Sequence, residues 1–62
     1  MNNNRVVTLD NYENFLNYTD GRVEACLNDE NLTEGQKIIS LCHQIDNYKL
    51  IIKDVVDDIL EK

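Results

Sequence analysis

Apolar residues recur every three or four positions through the second half of the chain, and this spacing constrains the fold more than any other feature. The series is Ile38, Leu41, Ile45, Tyr48, Ile52, Val55 and Ile59. Counted with Ile38 at position a of a heptad, it fills positions a and d over three heptads, which is typical of a helix that packs against another helix. Thr33 followed by Gln36 fits a capping box at the start of such a helix. We therefore predict a helix at about residues 34–61.

The first half of the chain repeats the same period more weakly. Its a and d positions hold Leu9, Tyr12, Leu16, Thr19, Val23 and Cys26. Thr8 can cap the start of this helix. Gly21 lowers helix stability by roughly 1 kcal/mol relative to alanine, so a break there stays open, but the register continues across it. The pattern predicts one helix at about residues 9–28, preceded by a frayed segment at 1–7.

The connection between the two predicted helices, residues 29–32, is short, and short connections join antiparallel neighbours. The sequence therefore predicts an all-α fold, a single antiparallel two-helix hairpin of the coiled-coil type. Further apolar residues at positions e and g widen the core face beyond what one facing helix covers: Cys42, Val56, Ile51 and Phe15. A chain of 62 residues has a marginal core of its own. We expect two hairpins to self-associate into a four-helix bundle, or the same face to dock a helix of another protein.

The charge balance disfavours several classes of partner. Twelve acidic and six basic side chains give a net charge of -6. Such a chain repels phosphate backbones and anionic lipid surfaces, so direct binding to nucleic acid or membranes is disfavoured. No apolar run approaches the length of a membrane span, and the first residues lack the apolar centre of a signal peptide. We expect a cytoplasmic protein without a cofactor.

The stretch "SLCHQID" holds the only histidine and looks chemical, but its geometry argues against a reactive or metal site. In the predicted hairpin Cys26 and Cys42 differ in height by ~10 Å, too far for a disulfide. Both are expected to be reduced and half-buried. His43 and Asp46 share a face that offers no third ligand, so no metal site is predicted. Cys42 and His43 point about 100° apart, which disfavours a thiolate–imidazolium pair.

A second row of side chains on the later helix lies away from the predicted seam. We call it the outer stripe: Ile39, His43, Asp46, Leu50, Lys53 and Asp57. A row that mixes apolar and charged residues on a helix face is typical of an interaction surface. We predict that the partner-binding residues are Ile39, His43, Asp46, Leu50 and Asp57.

The run "LTEGQKIISLCHQIDNYKLII" resembles helix 2 of the small two-helix aspartyl-phosphate phosphatases of sporulating bacteria. That family carries a motif Ser-Gln-(Glu/Gln)-Leu-Asp followed by apolar residues. The matching stretch here is Cys42-His43-Gln44-Ile45-Asp46, in which Cys42 replaces the serine and His43 the glutamine. The resemblance implies that Asp46 enters the active site of a response regulator and helps to position water against an aspartyl phosphate. With cysteine in place of the serine, it also implies a relative that binds without turnover.

These observations favour a small, acidic, non-catalytic regulator that binds and modulates another protein through a helix face. Two alternatives remain. One is the phosphatase or its catalytically dead relative, with Asp46 as the candidate catalytic residue. The other is an acidic mimic of nucleic acid that occupies the basic groove of a DNA- or RNA-binding protein.

Overall fold

The computed structural model describes residues 6–61, and within this range the chain forms two helices and no strand. Helix α1 spans Tyr12–Leu27 and helix α2 spans Glu34–Leu60, and the two pack against each other. Contacts join the end of α1 to the start of α2, and the N-terminal turn to the end of α2. The predicted all-helical hairpin is therefore confirmed.

Helix α2 begins at the capping box that the sequence predicts. The Gln36 backbone N–H donates to Thr33 Oγ1 at 3.1 Å, and the Thr33 backbone N–H donates to the Gln36 side-chain oxygen at 2.9 Å. These two bonds satisfy donors that the first helical turn leaves without an intrahelical partner. The start of α2 is thus fixed by local sequence.

Helix α1 begins at Tyr12, three residues later than the sequence suggests. Thr8 does not cap the helix. Its carbonyl accepts from the Asn11 N–H at 3.2 Å, and its own N–H donates to Asn11 Oδ1 at 2.7 Å. The Thr8 hydroxyl accepts from the Asp10 N–H at 3.3 Å. Because these bonds close a turn, residues 8–11 precede the helix instead of joining it.

The segment before α1 is attached to the hairpin. The Leu9 N–H donates to Asp58 Oδ2 at 2.8 Å, which links this turn to the end of α2. Val7 is buried and shares a groove with Phe15 and Ile51. Of the segment predicted to be frayed, residues 1–5 lie outside the described residues, and for Val7 the prediction is wrong because its side chain packs onto the helices.

The seam of α1 follows the predicted register from Tyr12 onward. Thr19 and Cys26 are buried, and Tyr12, Leu16 and Val23 are half-buried. The Thr19 hydroxyl donates to the Phe15 carbonyl at 2.9 Å, so this buried polar side chain is satisfied within its own helix. Leu9, which was expected to begin the seam, lies exposed in the preceding turn.

The seam of α2 is rotated from the predicted one. Gln44 and Ile51, both at position g, are only 3% and 5% exposed. The four isoleucines at position a are 50–61% exposed: Ile38, Ile45, Ile52 and Ile59. Helix α2 therefore meets α1 through positions d and g, and the assignment of position a to the hairpin core is wrong. Val7 and Phe15 line a groove with Ile51, so the side of α2 that bears Ile51 faces α1 and the segment before it.

Helix α1 continues without a break through Gly21. The residue is exposed, and a methyl group at its Cα would meet nothing within 4 Å. Glycine at such a position lowers stability only through backbone freedom and solvent exposure of the backbone.

Replacing Gly21 with alanine is expected to raise the free energy of unfolding by about 0.5–1 kcal/mol, because the helical conformation is kept and the unfolded chain loses freedom. Urea unfolding followed by circular dichroism, at equal protein concentration for both chains, measures the change. An unchanged or lowered stability would show that α1 does not run through this position.

Candidate protein-binding surfaces

The outer stripe lies on the solvent side of α2 along most of its length. Ile39 and Leu50 are 61% and 60% exposed, although both are large aliphatic residues. His43 and Asp46 are exposed between them. The structure therefore brings the predicted partner-binding residues together on one accessible helix face.

A weak ion pair joins the last two residues of the stripe, near the C-terminal end of α2. The Lys53 ammonium lies 3.4 Å from Asp57 Oδ2, one helical turn apart, and the two side chains are 70% and 42% exposed. Pairs of this kind contribute about 0.3–0.5 kcal/mol, because solvent screens them and both side chains lose freedom. Both side chains therefore remain available to a binding partner at little cost in free energy.

Leu50 also forms one wall of a groove between the helices. The groove is lined mainly by apolar surface, and Val7, Phe15 and Tyr18 form other parts of its wall. An aliphatic side chain of another protein would contact both Leu50 and these walls. Leu50 is thus the stripe residue best placed to bury apolar surface on binding.

A polar cleft lies beside the groove, where α1 contributes Tyr18 and Arg22. The Arg22 guanidinium donates to the Tyr18 hydroxyl at 3.3 Å and lies 5.8 Å from the centre of its ring. From α2 the cleft receives four polar side chains: His43, Gln44, Asp46 and Asn47. Gln44 is buried, and its oxygen accepts from Asn47 Nδ2 at 3.0 Å. Asp46 therefore lines a polar cleft to which α1 contributes the Arg22 guanidinium.

The four position-a isoleucines form a second exposed surface, which sequence reasoning assigned to the core. Cys42, Lys49 and Val56 lie between them on the same face of α2, and all three are exposed. We call this surface the isoleucine face: Ile38, Cys42, Ile45, Lys49, Ile52, Val56 and Ile59. An exposed helix face of this length that is apolar at every position except Lys49 is uncommon on a monomer and is typical of a surface that binds protein.

The cysteines occupy different environments. Cys26 is buried and its thiol donates to the Lys37 carbonyl, with sulfur and oxygen 3.6 Å apart. Cys42 is exposed, which corrects the expectation that it is half-buried. Cys26 lies beside Lys37, and Cys42 lies five residues beyond Lys37, about 7.5 Å further along the helix. The two cysteines are therefore at different heights along α2. Both cysteines are free thiols, as predicted.

Neither helix is apolar enough over a sufficient length to cross a bilayer, as judged over residues 6–61. In the same range no three metal-ligating side chains of histidine, cysteine, aspartate or glutamate come together.

Tyr48 and Asp20 connect the two helices at mid-height. The Tyr48 hydroxyl donates a hydrogen bond to the Asp20 carboxylate. This hydrogen bond, partial desolvation and the negative charge of Asp20 together raise the pKa of Tyr48 above its ordinary value of 10.0. The neutral phenol is the form that donates this hydrogen bond between the helices.

No family model matches this chain, and no curated protein or solved structure is similar enough to count as a match. The phosphatase resemblance of residues 32–52 therefore stays a prediction from the sequence.

The raised pKa of Tyr48 predicts a loss of stability at alkaline pH. A group whose pKa is higher in the folded state contributes stability below its unfolded pKa, and the contribution is lost as pH rises above 10.0 through the folded pKa. Melting temperatures between about pH 8 and pH 12 should fall more steeply for the natural chain than for Tyr48→Phe or Asp20→Asn. An equally steep fall in all three chains would contradict the link.

Proposed function

We propose that this chain is a non-catalytic binding protein that modulates another protein through the outer stripe of α2, acting in the cytoplasm as its composition suggests. The observation that carries the proposal is the exposure of Ile39 and Leu50 on one helix face, with Leu50 at the edge of an apolar groove. Exposed aliphatic side chains around polar ones give a helix face both contact area and a fixed register.

The polar side chains of the stripe set orientation. His43 and Asp46 stand between Ile39 and Leu50, and Asp57 lies beyond them toward the end of α2. With a net charge of -6 the chain attracts a partner whose contact surface is basic, and it repels acidic surfaces. We expect the binding to weaken as salt concentration rises.

The isoleucine face supports a second part of the proposal, the self-association of hairpins into a four-helix bundle. Burial of one aliphatic side chain contributes roughly 1.5–3 kcal/mol, so half-exposed isoleucines contributed by two chains can offset the cost of association, about 4–15 kcal/mol. The two surfaces lie side by side on α2. A self-paired chain would still present the row of the stripe that lies farther from the isoleucine face: His43, Leu50 and Asp57.

The acidic end of α2 favours a structural role over mimicry of nucleic acid. Asp58 accepts a hydrogen bond from the Leu9 backbone, and Asp57 pairs with Lys53. A mimic would present its carboxylates free along one face. For this reason we propose a regulator that binds another protein in preference to a mimic that occupies a nucleic-acid-binding groove.

Replacing Leu50 with aspartate is expected to weaken partner binding by about tenfold to a hundredfold, because one buried aliphatic side chain is worth that much in affinity. The helical content should not change, since Leu50 is exposed. Tagged natural and Leu50→Asp chains are used to capture proteins from the source cell. The captured protein is then purified and titrated calorimetrically against both chains.

Asn17→Asp provides the control, because it places the same charge at an exposed position of α1 far from the stripe. It should bind like the natural chain. Undiminished binding by Leu50→Asp would contradict the proposed surface. A captured response regulator whose aspartyl phosphate is hydrolysed by the natural chain but not by Asp46→Ala would replace the proposal with the phosphatase.

A further inference from the structure

We propose that a second copy of this chain covers the isoleucine face, with the two α2 helices antiparallel and Asp46 of each copy opposite Lys53 of the other. The inference rests on the proposed self-association and deepens it, because it specifies the face, the orientation and the register. Three independent features of α2 support it.

The first feature is the shape of the apolar surface. The four isoleucines repeat every seven residues, and Cys42, Lys49 and Val56 fall between them, so the face has the alternating three- and four-residue spacing of a coiled-coil seam. It is long enough for three heptads of helix packing. On its α1 side a shallow apolar groove adds Tyr12 and Leu16, so the surface extends onto both helices. A second hairpin with the same surface fits this description.

The second feature is the distribution of charge along α2. Between residues 50 and 61 the helix carries four carboxylates and one lysine: Lys53, Asp54, Asp57, Asp58 and Glu61. Parallel pairing would bring two such ends together, and like charges at close range are unfavourable. Antiparallel pairing separates the acidic ends by most of the length of the helix and opposes the two helix dipoles.

The third feature is the row of residues that borders the isoleucine face. Each member follows one of the four isoleucines: Ile39, Asp46, Lys53 and Leu60. When two such helices run antiparallel, the bordering rows of the two copies lie along the same edge and face each other in reverse order. Ile39 then faces Leu60 and Asp46 faces Lys53, twice per dimer. Shifting one helix by a heptad would instead oppose Asp46 to Asp46 or Lys53 to Lys53.

Lys49 fits the same register. It occupies the middle of the isoleucine face, where its alkyl chain can cover apolar surface while its ammonium group reaches solvent. A single polar residue in a seam lowers stability and helps to specify one alignment. The pairing also divides the outer stripe. Ile39, Asp46 and Lys53 face the second copy, and the row His43, Leu50 and Asp57 stays available for a different protein.

The first test is the oligomeric state by sedimentation equilibrium at micromolar concentration. The natural chain should be a dimer, and Ile52→Lys should raise the dissociation constant at least tenfold, because each copy would place an ammonium group against the other's isoleucines. Asn17→Lys, which adds the same charge on the outer side of α1, should remain a dimer. A monomeric natural chain would overturn the inference together with the self-association. Loss of the dimer in Leu50→Lys instead of Ile52→Lys would overturn the assignment of the face.

The second test is charge exchange, which reports the register. Asp46→Lys and Lys53→Asp should each weaken the homodimer by roughly threefold to thirtyfold, because each juxtaposes like charges twice. Mixing the two variants should restore association, since each copy then meets the opposite charge. The double variant carrying both substitutions should also recover. Circular dichroism checks that each variant keeps its helicity, since Lys53→Asp also removes the pair with Asp57.

Recovery in the mixture supports the antiparallel register. Dimers without recovery would overturn the register while leaving the self-association intact. The partner-binding proposal is judged separately through Leu50→Asp, so each failure can be recognised.

Discussion

Helix α2 has apolar residues around more of its circumference than one neighbouring helix can cover, and the rest of the structure depends on this constraint. Positions d and g pack against α1, and the position-a isoleucines stay exposed. A hairpin of two helices offers a single seam. We propose that another protein, a second copy, or both cover the excess apolar surface, and that neighbouring rows of α2 divide that role.

Local chemistry explains which parts of the fold were predictable. The capping box of Thr33 and Gln36 sets the start of α2, and the α1 seam from Tyr12 to Cys26 follows its three-four spacing. The choice between two apolar faces of α2 was not predictable in this way. The spacing of apolar residues in α2 does not by itself show whether positions a and d or positions d and g face α1. The choice depends on residues distant in sequence, such as Val7 and Phe15, which line a groove together with Ile51.

The same reason explains what could be foreseen of the candidate sites. The outer stripe could be predicted because Ile39 and Leu50 belong neither to a seam at positions a and d nor to one at d and g. In the structure both side chains are exposed. The isoleucine face was hidden because the same four residues make a convincing core. The Asp58 contact to the Leu9 backbone was also hidden, since a carboxylate near a helix C-terminus normally opposes the dipole. Its hydrogen bond to a preceding turn offsets that cost.

The central claim is that covering the isoleucine face with a second copy stabilises the folded chain. Thermal unfolding followed by circular dichroism at protein concentrations about a hundredfold apart tests it most directly, because an assembly of folded chains gains about 2.7 kcal/mol over such a range. We expect the melting temperature to rise by several degrees from the lowest to the highest concentration. A melting temperature that does not change with concentration would contradict it.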